Sequence, residues 1–404
     1  MNILFLHPNF PAQFKMPCIE LASQQKHKIK FICQTHYGRE LTGIEKLVLK
    51  GGGSHQSILN STTNEIEKQL ARGRAYRFGF EQLKNNNWIP DVVVAHSGWG
   101  CGIYVKEIWP KAKFISYLEW WFDPQSELMH SLKDNKHFKL NDDEISYLWI
   151  RNMPAALEMA SADHLITPTE WQKKQLPIAL IDKCRVVRDT IDNKTFFPDT
   201  KKLARNPIVT YGTRGMEPMR GFPEFIEVLP HLLQKWPTVR VEIAGSDTVS
   251  YGGNRPKEKS WKKWASNILK AEGLSERVTW KGEMPLQEYA NWLRSSWCHV
   301  YLSEPFVTSW SFIEALHCRI PMVASATGAT LEFNNTNPNM IEIDHKNPDA
   351  FLEAISNRIR FSSKISRSRS EPSPQATIKN PSFFNSTETS LASIIADVEA
   401  ATKV

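Results

Sequence analysis

Ten short apolar runs, in two series of five, constrain this chain more than any other feature. The first series is NILFLH (2–7), KIKFICQ (28–34), DVVVAH (91–96), KFISYLEWW (113–121) and HLITPT (164–169). Helix-period segments such as MPCIELASQQ and PAALEMASA lie between several of them, and strand, helix, strand over this length predicts a doubly wound α/β unit. A polar stretch, DNKTFFPDTKKLARNP (192–207), interrupts the pattern, which restarts with IVTYGT (208–213), VRVEIAGS (239–246), RVTWKG (277–282), CHVYLS (298–303) and PMVAS (321–325). The expected organisation is an α/β domain over 1–195, a second over 196–360, and a Ser/Arg/Pro-rich tail over 361–404. RFSSKISRSRSEPSPQATIKNPSFFNSTETS (360–390) reads as a solvated linker and LASIIADVEAA (391–401) as a final short helix. In open sheets ligands bind beyond the carboxyl ends of the strands. The loops after Tyr211, Ala244, Lys281, Leu302 and Val323 are therefore expected to converge on one crevice, between the two domains.

Composition narrows the partners. A formal charge of +7 over 404 residues suits small anions or an acidic surface, and no dense Lys/Arg block precedes residue 360, so no nucleic-acid partner is expected. The six cysteines are scattered singly, without metal-ligand spacing or a disulfide framework, and read as buried thiols of a reducing compartment. No signal-peptide pattern opens the chain, and no run of 18 apolar residues occurs to span a bilayer. A cytoplasmic protein is expected.

The chemistry starts at TYGTRGMEPMRGF (210–222). A strand ending in Tyr211-Gly212, then Arg214, then Arg220-Gly221 opening a helix, brings two guanidinium groups and free N–H donors to one place, where a phosphate fits. The same arginines, taken alone, also read as solvated surface charges.

Those residues stand in a longer series: YGTRGMEPMRGFPEF, VEIAGSD, RVTWKGEMPLQEYANWLRSSWCHVYLSEPF and SFIEALHCRIPMVASATGATLEF, in that order. The series resembles the donor-binding half of the retaining GT-B glycosyltransferases of family 4, the group 1 glycosyltransferases. LHPNFPAQF, AHSGWG, TPTEWQ and VRDTID extend the resemblance, towards one bacterial subgroup. It implies two Rossmann-like doubly wound α/β domains facing a central cleft that closes over a nucleotide-diphosphate-sugar donor. The implied reaction is retaining transfer of a hexosyl or other glycosyl group to an acceptor hydroxyl on a glycan, lipid-linked or small-molecule acceptor, as in polysaccharide or cell-envelope biosynthesis. On matching positions, Arg214 and Arg220 would grip the diphosphate and stabilise the leaving group, and Glu314 would accept hydrogen bonds from the ribose hydroxyls. Gly212 and Lys281 fall among the donor-binding positions. No D-x-D motif follows a strand, so no metal and no cofactor are expected.

The corner SEPFVTSWSFIEALH departs from the family pattern: nine residues, not seven, separate Glu304 from Glu314, and Phe306 stands where the first glutamate would. Either Glu304 still serves, with two extra residues in the turn, or the N–H groups near Val307, Thr308 and Ser309 bind the anion at the helix start; the second is preferred for phosphate contact. Thr308 and Ser309 then act as caps and phosphate donors.

On the acceptor side, Asn9 and Gln13 each offer donor and acceptor to a hydroxyl. His96 closes its strand and reads either as a cleft residue or as a structural histidine. Glu119 stands near where many members carry a catalytic-site histidine. Trp99, Trp120 and Trp121 stack on sugars or fill the core. Two alternatives stand beside transfer: a nucleotide-sugar epimerase or hydrolase of the same fold, and a degenerate nucleotide-sugar-binding protein. Thr190, where the linker usually has glycine, and the unusual tail favour the latter. The basic balance is compatible with peripheral contact to an anionic bilayer, although Lys and Arg are spread along the chain. Oligomeric state is left open.

Overall fold

The computed structural model describes residues 1–49, 65–199, 203–253, 255–368 and 390–401. They form two compact units. The first unit is built on a seven-stranded sheet ordered β3-β2-β1-β4-β5-β6-β7: β1 (Asn2–Leu6), β2 (Lys28–Cys33), β3 (Ile44–Val48), β4 (Val92–His96), β5 (Lys113–Tyr117), β6 (His164–Thr167) and β7 (Cys184–Val186). Every pairing is parallel. Parallel strands are covered on both faces and so read as unbroken apolar runs. In β1, Ile3 and Phe5 enter one core with Phe14, Phe31 and Ile115, while Leu4 and Leu6 enter another with Tyr76, Phe80 and Phe114.

The second unit carries a six-stranded sheet ordered β10-β9-β8-β11-β12-β13: β8 (Ile208–Gly215), β9 (Arg240–Ser246), β10 (Val278–Gly282), β11 (Cys298–Tyr301), β12 (Met322–Ser325) and β13 (Met340–Ile343). It too is parallel throughout. The helix Phe222–Lys235 opens with Pro223 at a first-turn position, where its missing N–H costs nothing. It buries Phe222, Phe225 and Leu229 beside Tyr211 and Val241 of the sheet.

Three boundaries differ from the expected ones. The first unit gives way to the second at Thr190/Ile191, and the stretch Glu127–Asn141 belongs to the second unit although its neighbours in sequence belong to the first. The third concerns the tail. The helix Pro348–Ser368 carries the chain eight residues past the expected end of the second domain, so the opening of the Ser/Arg-rich segment is helical, not a solvated linker; its 369–389 portion lies outside the described residues. The helix Leu391–Ala401 is no isolated appendage either, since Leu391, Ala392, Ile394, Ile395 and Val398 are buried in the first unit's core with Ile3 and Phe5. That removes the tail from the case for a degenerate protein.

Each sheet has one place where the strand order reverses: between β1 and β4 in the first, between β8 and β11 in the second. Loops leaving the two strands at such a point diverge to opposite faces and leave a crevice for a ligand.

Candidate functional site

At the β8/β11 reversal the chain leaves β8, makes a tight turn at Pro218–Arg220, and enters the helix through Gly221 at φ +60°. A Cβ at Gly221 would come within 2.5 Å of the Leu302 side chain, so the close approach of this turn to β11 requires glycine. The turn buries Arg220 to 4 % exposure. Its Nη1 donates to the Tyr301 hydroxyl at 3.1 Å, to Ser303 Oγ at 2.8 Å and to the Val307 carbonyl at 3.4 Å. The Tyr251 ring lies 4.8 Å from the guanidinium.

No carboxylate pairs with Arg220 among the described residues, and its buried Nη2 makes no hydrogen bond. Buried Glu217 is nearby but faces elsewhere, accepting from the N–H groups of Ser250 (2.9 Å) and Tyr251 (2.8 Å). Glu217 acts on the Arg220 charge from a distance, but no carboxylate of the described residues lies within ion-pair distance, and a buried cation with an unused donor suits an anionic ligand. The N–H groups of Val307 and Thr308 add donors in the same corner, since neither has a hydrogen-bond partner among the described residues.

The other expected donor residues separate into those gathered here and those that are not. Phe306 packs against Tyr251, ring centroids 5.4 Å apart. Ser309 is the cap of the helix Trp310–His317, accepting from the Phe312 N–H. Thr308 is not the cap; its hydroxyl is engaged with the Ala329 carbonyl at 2.9 Å, which leaves its backbone N–H as the donor it can offer. Arg214 is exposed at the end of β8 with no partner among the described residues. Gly212 is a packing position, where a Cβ would meet the Trp292 ring at 3.3 Å. Lys281 lies on β10, separated from β8 by β9.

The two glutamates have opposite electrostatics. Glu314, on the helix Trp310–His317, is half-buried; its carboxyl has no hydrogen-bond partner among the described residues, and burial pushes it up to about 7. Such a carboxylate gains from any hydroxyl that reaches it. Glu304 is fully buried. Burial alone would raise its carboxyl, but the His345 imidazole, the Lys346 ammonium and the Ser131 hydroxyl hold it at about 2.

At the β1/β4 reversal of the first unit, His7 and His96 meet edge to face, ring centroids 5.0 Å apart. His7 Nδ1 accepts the Asn9 N–H at 2.8 Å, which fixes the neutral tautomer with its proton on Nε2. Burial, and after it the neighbouring His96, hold His7 well below the ordinary histidine pKa. His96 is buried, neither ring nitrogen makes a hydrogen bond, and its Nε2 stands 3.4 Å from Glu119 Oε2. Glu119 Oε1 accepts from Gln13 Nε2 at 2.5 Å, so the Gln13 amide orients Glu119. The Asn9 side-chain amide has no partner among the described residues. Trp99 is 38 % exposed beside both histidines, with Arg72 over its ring, whereas Trp120 and Trp121 are core residues.

His7, Tyr251, Glu217 and Arg72 escaped the sequence reading. Only His7 left a signal there, as the residue that closes the first strand. All six cysteines are free and buried, and among the described residues no cluster of three or more His, Cys, Asp or Glu side chains is arranged to hold a metal ion.

Two family models match the chain: the glycosyl transferase family 4 group over residues 25–196 and the glycosyl transferases group 1 over residues 192–367. No curated protein matches it by sequence. Among solved structures it is similar to sucrose-phosphate synthase from Thermosynechococcus elongatus, at 14 % identity and TM-score 0.66 over 91 % of this chain and 94 % of that one. Anabaena HepE in complex with UDP-glucose aligns at 15 % identity and TM-score 0.64 over 100 % of both chains. WaaG, a glycosyltransferase involved in lipopolysaccharide biosynthesis, aligns at 12 % identity and TM-score 0.63 over 98 % of this chain and 99 % of that one. At these identities the likeness shows the fold, that of the GT-B enzymes.

Proposed function

Because the chain belongs to the group 1 glycosyltransferases, we propose that it moves a sugar, with retention and without a metal, from a nucleotide-diphosphate-sugar to a hydroxyl of a glycan or lipid-linked acceptor. The observation that carries this reading is Arg220: a buried guanidinium with an unfilled Nη2 and no carboxylate partner, at the strand-order reversal of the second unit.

Cleaving the bond between the sugar and the diphosphate leaves negative charge on the phosphate oxygens and positive character on the sugar. Arg220 cannot lose its proton, and its Nη1 is already fixed by Tyr301, Ser303 and Val307. Little reorganisation remains when the leaving charge forms, which is how a preorganised donor lowers a barrier. Glu314 takes the ribose hydroxyls. In the first unit, His96 with Glu119 beside it faces the acceptor hydroxyl, and Trp99 offers a ring for sugar stacking.

UDP-glucose, held by HepE, is the first donor to try. WaaG's role in lipopolysaccharide biosynthesis supports an envelope acceptor, reached from the cytoplasm. Among the described residues no helix is long and apolar enough to cross a membrane.

The test is calorimetry of UDP, GDP, ADP and UDP-glucose, in the presence of a chelator, with wild type, Arg220→Ala and Glu314→Ala. One nucleotide is expected to bind, and both substitutions to weaken it at least about tenfold. Folded protein that binds none of them, or an Arg220→Ala variant that binds as wild type does, would sink the proposal.

A further inference from the structure

Glu304 belongs to the Glu-Pro-Phe corner, yet both its oxygens are already engaged. Oε1 accepts from Asn135 Nδ2 at 2.8 Å, and Oε2 accepts from the Ser131 hydroxyl and from Lys346 Nζ at 3.3 Å. His345 Nε2 stands 3.8 Å from Oε1. Two of these partners, Ser131 and Asn135, come from Glu127–Asn141, the stretch that the second unit takes from the middle of the first unit's sequence.

That stretch also reaches Arg220 by a second route. Asn135 Oδ1 accepts the N–H groups of His137 and Phe138, each at 2.8 Å, and so sets the turn that carries the Phe138 ring. The ring lies on Gly252 and Gly253, at φ +113° and +105°, where an added Cβ would stand 3.0 and 3.1 Å from it. The preceding residue, Tyr251, is the one whose ring covers the Arg220 guanidinium. From the opposite side, the Glu304 N–H donates to the Met219 carbonyl at 3.0 Å. The Glu304 carbonyl accepts from Ser303 Oγ, which in turn accepts from Arg220. One side chain, Asn135, therefore ties together both walls of the Arg220 pocket.

We infer that Glu127–Asn141 is a positioning arm for Arg220, anchored by the Glu304–Asn135 hydrogen bond, and that Glu304 itself touches no part of the donor. The inference rests on the reading of Arg220 as the diphosphate-binding group. It also accounts for the spacing: with Glu304 committed to the arm, the two extra residues before Glu314 form the turn that brings Val307 to Arg220.

Asn135→Asp is the sharpest perturbation, because it keeps the side chain's shape and its acceptor for His137 and Phe138 but turns an oxygen towards the Glu304 carboxylate. Phe138→Ala removes the prop, and Phe138→Leu restores much of its bulk. With the full chain, calorimetry of UDP and UDP-glucose is expected to show Asn135→Asp and Phe138→Ala weakening both ligands alike, by about tenfold, as supporting residues around a binding group do. Phe138→Leu should recover most of the loss. Amide exchange should accelerate at Tyr251–Gly253 and Ser303–Thr308 in both weakened variants, with the first unit unaltered.

Glu304→Gln separates the two roles. An anchor weakens UDP and UDP-glucose equally, whereas a sugar contact weakens UDP-glucose and spares UDP; the second result overturns the inference. If wild type binds no nucleotide, the donor reading fails, and the exchange experiment still decides the arm. Unchanged exchange at Tyr251–Gly253 in Asn135→Asp and Phe138→Ala overturns it.

Discussion

Glu314 couples nucleotide binding to pH in a way that can be worked out beforehand. Burial pushes its carboxyl up to about 7 in the free protein, and no hydrogen-bond donor reaches it among the described residues. Ribose hydroxyls donate to the ionised form, so binding lowers the pKa and releases a proton. The sign follows: affinity rises as pH climbs through the free-protein pKa, then levels off. With a pKa about 7, about one carboxyl in eleven is ionised at pH 6 and about ten in eleven at pH 8. Apparent affinity scales with that competent fraction, so Kd should be about tenfold weaker at pH 6 than at pH 8. At pH 7 about half a proton should leave per ligand bound.

The assay is titration calorimetry at three pH values, each in two buffers of different ionisation enthalpy. UDP-glucose is the ligand to use, because a terminal phosphate such as that of UDP itself titrates near pH 6 and would mask the effect. Glu314→Gln should bind more weakly at pH 8 and lose the slope. A wild-type Kd constant to within about twofold from pH 6 to 8 would refute the coupling, as would the same slope in Glu314→Gln.

Three further outcomes are expected. Arg220→Met should abolish nucleotide binding while the urea midpoint holds or rises, because the native site keeps a buried cation without a carboxylate partner; a large drop in midpoint would mean that the guanidinium is mainly structural. His96→Phe should raise the melting temperature by a few degrees, since it removes two buried nitrogens that lack hydrogen bonds, a cost of about 1–3 kcal/mol, and should lower turnover. Unchanged turnover would take His96 out of the reaction. Ile395→Asp places a carboxylate at a fully buried position of the C-terminal helix and should destabilise the first unit by about 3–5 kcal/mol, read by calorimetry as an early transition that leaves the second unit's intact.

The elements most legible in the sequence are the central strands, although the edge strand β10 also showed, as RVTWKG (277–282). β1, β4 and β11 announce themselves because nearly every side chain in them is apolar, and β8 does so through Ile208, Val209 and Tyr211. β3, β7 and β13 do not: they hold intermediate or exposed residues at most positions and lie at or near the sheet edges, so no run of apolar residues marks them. Arg220 was readable because strand, glycine and arginine are adjacent in the chain. Tyr251 and Asn135 were not, since they meet the Arg220 corner only through folding, from 31 residues downstream of Arg220 and from 169 residues before Glu304 respectively. Glu304 was readable as a glutamate in the right corner but not as one already occupied, because its partners lie in another part of the sequence.

The helix Leu391–Ala401 has a consequence for biogenesis. It supplies five buried side chains to a core that otherwise begins with Ile3 and Phe5, yet it is synthesised after everything in the second unit. On the ribosome the second unit can therefore mature first, while the earlier-made unit waits with an uncovered apolar face. Chains truncated before residue 390 and released from the ribosome should show this dependence directly, with a protease-resistant second unit and a first unit that chaperones still bind.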